Sequence, residues 1–269
     1  MPLVRHPAVA GRFYPAQPDV LLHDIKSYLR PTAEKVTALG CIVPHAGYMY
    51  SGHVAGAVYA RLDLPSRYII LCPNHTGMGK PLAVMKQGVW DTPLGQARVD
   101  EELAAELLKS SKLVSEDADA HRAEHALEVQ LPFLQAMQSN FTFVPITVGV
   151  GSFEPLQGLG EAMASLIAKC KERVLIVASS DMNHYESDAV TRVKDHKAID
   201  KILALDPRGL FDVIMHEDIS MCGYGPTVAM LTAAKILGAS SAELVKYATS
   251  GDVSGDRNMV VGYAGVIVR

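Results

Sequence analysis

The chain has 269 residues, of which 49% are hydrophobic and 20% are charged, and its mean hydropathy is +0.13. This balance is typical of a soluble globular enzyme, and the length suits a single domain over residues 1–269. The formal net charge of -4 offers no positive balance against a phosphate backbone, which disfavours nucleic acid as a partner. No apolar run approaches the roughly 20 residues of a membrane span, and the first residues lack the apolar core of a secretion signal. We therefore expect a cytoplasmic protein without membrane contact.

Runs with strand-like and helix-like patterns alternate along the chain. The predicted strands cover residues 39–43, 68–71, 141–148, 173–178, 242–247 and 258–268. The predicted helices cover residues 54–62, 101–108, 156–168, 195–205 and 226–237. Residues 87–97, which include Trp90, predict a surface hairpin or loop with a structural role. The alternation predicts an α/β fold of three layers, in which helices cover both faces of a central, mostly parallel mixed sheet.

Three of the predicted strands run into short segments that end in a histidine, namely His45, His75 and His184. The carboxyl ends of strands in an open α/β sheet are where ligands collect, so we expect these segments to face one cleft. An isolated histidine in a tight turn is most simply a hydrogen-bonded turn residue. Two histidines on neighbouring strand ends, however, supply two neutral nitrogen donors, and we interpret His45 and His75 as metal ligands.

Asp181 and His184 lie three residues apart, in a predicted loop or first helical turn where both side chains can face the same way. Each is able to bind a metal, or His184 can act as an acid or base that Asp181 orients. The alternative for Asp181 is helix capping, because Ser-Ser-Asp is also ordinary capping chemistry. The residue pattern leaves both interpretations of Asp181 open.

Cys222 is the cysteine whose surroundings indicate chemistry. It lies in a glycine-rich turn before a predicted helix, and a helix N-terminus lowers the pKa of a thiol and favours the thiolate. Cys41, Cys72 and Cys170 fall in or beside apolar strands and helices, where a buried, inert thiol is expected. The four cysteines show no paired spacing, so we interpret them as reduced thiols.

Residues 121–132 predict a helix with Glu124 and Glu128 one turn apart. The run from His121 to His125 also fits the inverted zinc-protease pattern H-x-x-E-H, which is a weak signal in five residues. That interpretation needs a further ligand downstream and leaves the strand-end histidines unused. Two simpler alternatives are that His125 or Glu128 lines the cleft, and that the segment is a solvated helix face.

Six motifs in chain order resemble those of the Memo family, and the resemblance runs from residues 10–15 to the last predicted strand. The motifs are Pro44-His45-Ala46-Gly47-Tyr48, Pro73-Asn74-His75, Glu124-His125-Ala126-Leu127-Glu128 with Leu131-Pro132, Ser179-Ser180-Asp181-Met182-Asn183-His184, Cys222-Gly223, and Gly262-Tyr263-Ala264-Gly265. Each motif is weak alone, whereas six in order are jointly specific.

Memo proteins are similar in fold to the class III extradiol dioxygenases, whose non-haem iron is held by two histidines and a glutamate. The resemblance implies that His45, His75 and Cys222 hold a metal, that His184 matches the acid/base histidine, and that Asp181 orients a histidine. A thiolate in place of a carboxylate suits iron, copper(I) or zinc. Iron(II) is the cofactor we expect, with copper or zinc as alternatives.

Three functions compete at this point. The first is a metal-dependent redox enzyme, related to the dioxygenases, that acts on a small organic substrate. The second is a binding module that holds a peptide or partner in the same cleft, and the resemblance also implies a radical-enzyme protein as a partner. The third is a hydrolase with Cys222 as nucleophile and His184 and Asp181 as its partners. We rank the metal enzyme first, because the hydrolase leaves His45 and His75 without a role.

Overall fold

A computed structural model describes residues 3–29 and 35–269. Its strands are β1 (Val4–Arg5), β2 (Gly40–Val43), β3 (Arg67–Pro73), β4 (Leu82–Val84), β5 (Val89–Thr92), β6 (Gly95–Val99), β7 (Ser115–Glu116), β8 (Thr142–Val148), β9 (Val174–Ser179), β10 (His184–Glu186), β11 (Ala242–Thr249) and β12 (Val260–Val268). Its helices are α1 (Pro18–Tyr28), α2 (Tyr48–Arg61), α3 (Glu101–Ser110), α4 (Leu131–Met137), α5 (Phe153–Ile167), α6 (Asp188–Leu203), α7 (Pro207–His216), α8 (Tyr224–Ile236) and α9 (Gly251–Ser254).

The described strands form one mixed sheet in the order β1-β5-β6-β8-β3-β9-β2-β12-β10, with β4, β7 and β11 attached beside this path. The run β6-β8-β3-β9-β2 is parallel throughout, whereas β12 pairs antiparallel with β2, β10 and β11. The central strands β3, β8 and β9 are almost continuous apolar runs, as strands covered on both faces must be. The predicted mostly parallel mixed sheet is confirmed.

Helices cover both faces of this sheet. Alternate residues of β3 point to opposite sides, so Ile69 and Leu71 pack in one apolar core while Tyr68 and Ile70 pack in another. The first core includes buried residues of α3, α5, α6, α7 and α8, and the second includes buried residues of α1, α2 and α4. The predicted three-layer arrangement is confirmed.

The helix predicted over residues 121–132 is wrong. This segment contains two short 3-10 turns, Asp119–His121 and Glu128–Gln130, and a regular helix begins only at α4. Arg5 donates hydrogen bonds to the main-chain oxygens of His121 and Glu124, and the Glu124 carboxylate accepts from a nearby main-chain N–H. Tertiary contacts therefore use the backbone groups that a helix would have paired internally.

Other differences concern element starts and exposure. Helix α2 begins six residues before the predicted start, and α6 begins seven residues before it, where the Ser187 side chain caps the helix by accepting from Val190 N. The predicted hairpin is present as β5 and β6, but Trp90 is fully buried beneath the Arg5 guanidinium instead of lying at the surface. Within the described ranges, no helix has the length and apolar character needed to cross a membrane.

Candidate metal centre

A cleft of about 580 Å³ opens beyond the carboxyl ends of β2, β3 and β9, which are neighbours in the sheet. It is lined by Phe13, His45, Ala46, Gly47, His75, His125, Asp181, His184, Tyr185, Ser220, Cys222 and Val261. The structure therefore brings together in one cleft all five residues that the sequence singled out for metal binding and catalysis.

The His45 imidazole is buried, and Ser179 determines which of its ring nitrogens carries a proton. The Ser179 hydroxyl donates to Ala126 O at 2.6 Å and accepts from Gln130 Nε2 at 2.9 Å, so its proton is already committed. His45 Nδ1, which lies 3.0 Å from the same oxygen, must therefore donate to it. The other nitrogen, Nε2, consequently presents a lone pair to the cleft.

Glu124 fixes His75 in the same way. The buried carboxylate accepts from the His75 main-chain N–H at 2.6 Å and from His75 Nδ1 at 2.9 Å, and also from Ala126 N at 2.9 Å. Burial alone would raise the pKa of Glu124, but these hydrogen bonds and the nearby histidines outweigh it and lower the pKa. A carboxylate that holds Nδ1–H leaves Nε2 of His75 free to bind a metal.

Cys222 lies against His45. Its Sγ atom is 3.1 Å from His45 Nε2 and 3.7 Å from Asp181 O. The expectation of a lowered thiol pKa is wrong for this structure, because burial, reinforced by the nearby Asp181, raises the pKa of Cys222 well above its usual value. Among the described residues, the imidazole within hydrogen-bond distance of the thiol is that of His45, and Cys222 makes no hydrogen bond with His184, which a cysteine nucleophile with His184 as base would use.

The 3.1 Å separation provides a test of whether a metal fits. Metal–nitrogen bonds of about 2.1 Å and metal–sulfur bonds of about 2.3 Å place two ligands of one ion about 3.1 Å apart when they meet near a right angle. The distance between His45 Nε2 and Cys222 Sγ therefore fits two neighbouring ligands of one ion. The donor set of imidazole and sulfur suits iron, copper(I) or zinc.

Asp181 supports the loop that carries His45. Its Oδ1 atom accepts from His45 N at 2.8 Å and from Ala46 N at 3.3 Å, and burial raises the pKa of Asp181 to about 6. Asp181 does not cap a helix, because the chain continues into strand β10. The capping interpretation is therefore wrong, and Asp181 holds the backbone of a proposed ligand in place.

His184 lines the cleft with its Nε2 atom free. Its Nδ1 lies 2.8 Å from Ser220 O, and since a carbonyl only accepts, Nδ1 must carry the proton. Its main-chain N–H donates to Ser220 Oγ at 2.8 Å. The ring is thus oriented by Ser220, not by Asp181, and its Nε2 atom is left to act as a base toward the cleft.

His125 is the cleft residue to which sequence reasoning gave no specific role. Donor atoms of His45, His75 and His125 all lie within 4.8 Å of one another, which makes these three imidazoles a candidate metal-binding group. The signals in the sequence were the motif from Glu124 to Glu128 and the position of His125 in the H-x-x-E-H pattern. That pattern does not form a site, because His121 is fully buried in the core with its ring 5.7 Å from that of Trp90.

Comparisons with known proteins agree with this architecture. The family model described as Memo-like protein matches residues 5–267. A MEMO1 family protein from Methanosarcina mazei is 46% identical, with 99% of each chain covered, and one from Methanothermobacter thermautotrophicus is 42% identical, with 97% of this chain and 99% of the relative covered. The crystal structure of the uncharacterized protein JW3007 from Escherichia coli K12 shares the fold at a TM-score of 0.58 and 12% identity, covering 85% of this chain and 98% of that one. The chain belongs to the Memo family.

Proposed function

We propose that this protein binds a transition-metal ion through His45, His75 and Cys222 and uses it for redox chemistry on a small organic molecule in the cleft. The observation that carries the proposal is the fixed orientation of two imidazoles. Ser179 and Glu124 each hold an Nδ1–H, so the Nε2 lone pairs of His45 and His75 face the cleft. Hydrogen-bond acceptors behind metal-binding histidines, among them carboxylates, commonly serve this purpose.

Iron(II) is the metal we propose, with copper and zinc as alternatives. Two imidazoles and one thiolate on one side of an ion would leave positions for a substrate or for dioxygen. When bound, iron or copper would supply redox capacity, whereas zinc would only polarise coordinated groups. The chain itself supplies His184, whose free Nε2 can accept a proton from a bound molecule, and Asp181, which holds the His45 loop.

Other predictions from the sequence have no test in the structure. A cytoplasmic location, a peptide in place of a small substrate, and a radical-enzyme protein as a partner all stay predictions. The cysteine-hydrolase alternative ranks lower than it did from sequence, because Cys222 lies against His45 instead of His184.

Elemental analysis of protein purified without oxygen tests the proposal. We expect close to one iron or copper per chain in the wild type and little in Cys222→Ser or His75→Ala. Cys170→Ser is the matched control, because Cys170 is half-buried outside the cleft and should leave the metal content unchanged. A folded wild type that takes up neither iron nor copper under these conditions would contradict the proposed function.

A further inference from the structure

His125 has no role in the three-residue ligand set, although its ring stands beside both proposed imidazole ligands. Its ring centroid is 4.8 Å from that of His75 and 5.6 Å from that of His45. We propose that His125 is a fourth ligand, so that the metal is held by three imidazoles and one thiolate. This inference rests on the proposed function, because it assigns a further ligand to the same metal.

The first argument is that His125 and His75 share one carboxylate. Nδ1 of His75 lies 2.9 Å from Glu124 Oε1, and Nδ1 of His125 lies 3.4 Å from the same oxygen. The two rings are stacked with an angle of 23° between their planes. The His125 contact is longer than the His75 hydrogen bond, but it places both rings beside the same buried carboxylate, and one donor atom of each lies within 4.8 Å of a donor atom of His45.

The second argument is the position of both rings relative to His45. The ring planes of His75 and His125 make angles of 77° and 85° with that of His45, at centroid distances of 5.2 and 5.6 Å. With nitrogen bonds of about 2.1 Å and about 1.1 Å from nitrogen to ring centre, imidazoles on one ion have centroids about 4.5–5.5 Å apart at angles near 90–120°. The centroid distances of 4.8 and 5.2 Å fall in that range, and the distance of 5.6 Å between His45 and His125 lies at its upper edge.

The third argument is that the His125 ring can make the movement that binding requires. Two nitrogens on neighbouring positions of one ion are about 3.0–3.4 Å apart, whereas the donor atoms of the three histidines lie within 4.8 Å of one another, so they must approach by up to about 1.8 Å. His125 retains 22% side-chain exposure and lies between two 3-10 turns, outside any regular helix. The His125 side chain therefore has more freedom to move than a fully buried residue inside a regular helix.

The His125 ring also contacts the N-terminal segment. The Phe13 ring packs 4.7 Å away, and Phe13 O accepts from Tyr48 N. Val9 and Tyr14 flank Phe13 in the sequence, and both are anchored by the fully buried Glu128. Its carboxylate accepts hydrogen bonds from Val9 N at 3.1 Å and from Tyr14 Oη at 2.5 Å. The segment therefore limits the ring to small movements, as expected of a preorganised ligand.

X-ray absorption spectroscopy of Co²⁺-loaded protein tests the assignment, because scattering from imidazole rings counts the histidines on the metal. We expect three imidazoles and one sulfur in the wild type and two imidazoles and one sulfur in His125→Phe. The phenylalanine keeps the ring contacts with Phe13 and His75 but has no donor atom. Loss of one ligand should also weaken Co²⁺ binding by at least about 10-fold in a competition assay.

His184→Gln is the matched control, because it removes another cleft imidazole that this proposal leaves off the metal. Its Co²⁺ spectrum should equal that of the wild type. His125→Gln provides a second variant if the phenylalanine disturbs folding, and the count of imidazoles in the wild type is informative without any variant.

The outcomes separate this inference from the proposed function. Two imidazoles and one sulfur in the wild type, unchanged in His125→Phe, would overturn the role of His125 and leave the metal site of His45, His75 and Cys222 intact. A wild type that binds no Co²⁺ in the cleft would overturn both.

Discussion

The two ends of the central parallel strands bury acidic side chains in different ways. At the amino end, Asp100 accepts two hydrogen bonds from Arg67 at 2.7 and 2.9 Å and one from Thr142. Burial opposes the charged form of Asp100, but these hydrogen bonds and the Arg67 charge outweigh it and lower its pKa. At the carboxyl end, burial raises the pKa of Asp181 and of Asp195 to about 6.

The difference shows at which end of the strands the charge of a buried carboxylate is neutralised by a cationic side chain. Arg67 neutralises the buried carboxylate at the amino end, so that end needs no further ion. At the carboxyl end, the lone pairs of His45 and His75 converge on a cleft whose described lining contains no lysine or arginine. A metal cation would supply the positive charge that this end lacks, and the following predictions test the contrast.

The largest expected effect is the loss of metal binding in His45→Ala. His45 contacts Cys222 and has its free Nε2 in the cleft, so its removal takes away a ligand beside the thiolate. We expect the affinity for Co²⁺ to fall by more than about 100-fold, measured by competition with a coloured chelator. His6→Ala, which removes an exposed histidine paired with Asp91, should not change the affinity, and equal affinities in all three proteins would remove His45 from the site.

At the amino end, Arg67→Ala should destabilise the fold without affecting the metal. The substitution leaves Asp100 buried without its cation, and the free energy of unfolding should fall by about 2–3 kcal/mol in urea denaturation. Lys109→Ala, which removes an exposed partner of Glu106, should cost less than about 0.5 kcal/mol. A change in metal content in Arg67→Ala would show that the two ends are not independent.

Asp195→Asn should alter the pH dependence of stability. Asp195 accepts from Asn183 N and from Tyr247 Oη, and its folded pKa of about 6 lies above the unfolded value of about 3.9. The folded state therefore binds the proton more tightly, and this stabilisation is present at low pH and is lost as the pH rises through about 6. Relative to Asp195→Asn, the wild type should lose about 2 kcal/mol between pH 4.5 and pH 7 in denaturant unfolding. Parallel stability curves for the two proteins would contradict this account.

The smallest effect is expected for Ser179→Ala. The substitution removes the acceptor that fixes the Nδ1 proton of His45 but leaves every proposed metal ligand in place. We expect Co²⁺ affinity to fall by about 10-fold, with a spectrum that still shows sulfur coordination. An affinity equal to that of the wild type would mean that the orientation of His45 does not depend on Ser179.

The sheet was predictable because its signal is local. Strands β3, β8 and β9 are short apolar runs that alternate with longer helical patterns, and this pattern is typical of a parallel sheet covered on both faces. The position of the cleft followed from the same reasoning, because segments after neighbouring parallel strands must meet at one end of the sheet. His45, His75 and the segment from Asp181 to His184 were all placed in this way.

The proposed role of His125 as a ligand and the failure of the predicted helix over 121–132 both depend on distant residues, which the local sequence pattern does not show. Arg5 donates hydrogen bonds to main-chain oxygens of this segment, although it lies more than 115 positions away in the chain. The Glu124 carboxylate accepts a hydrogen bond from His75, which is 49 positions away. The raised pKa of Cys222 is likewise a result of burial, which opposes the helix N-terminus that the sequence showed.

Anomalous diffraction at the iron absorption edge is the most direct test of the metal centre, using crystals of protein loaded with Fe²⁺ without oxygen. The account predicts one peak in the cleft, at bonding distances of about 2.0–2.3 Å from His45 Nε2, His75 Nε2 and Cys222 Sγ. A well-ordered cleft without a peak, or a peak bonded to none of these three atoms, would contradict the account.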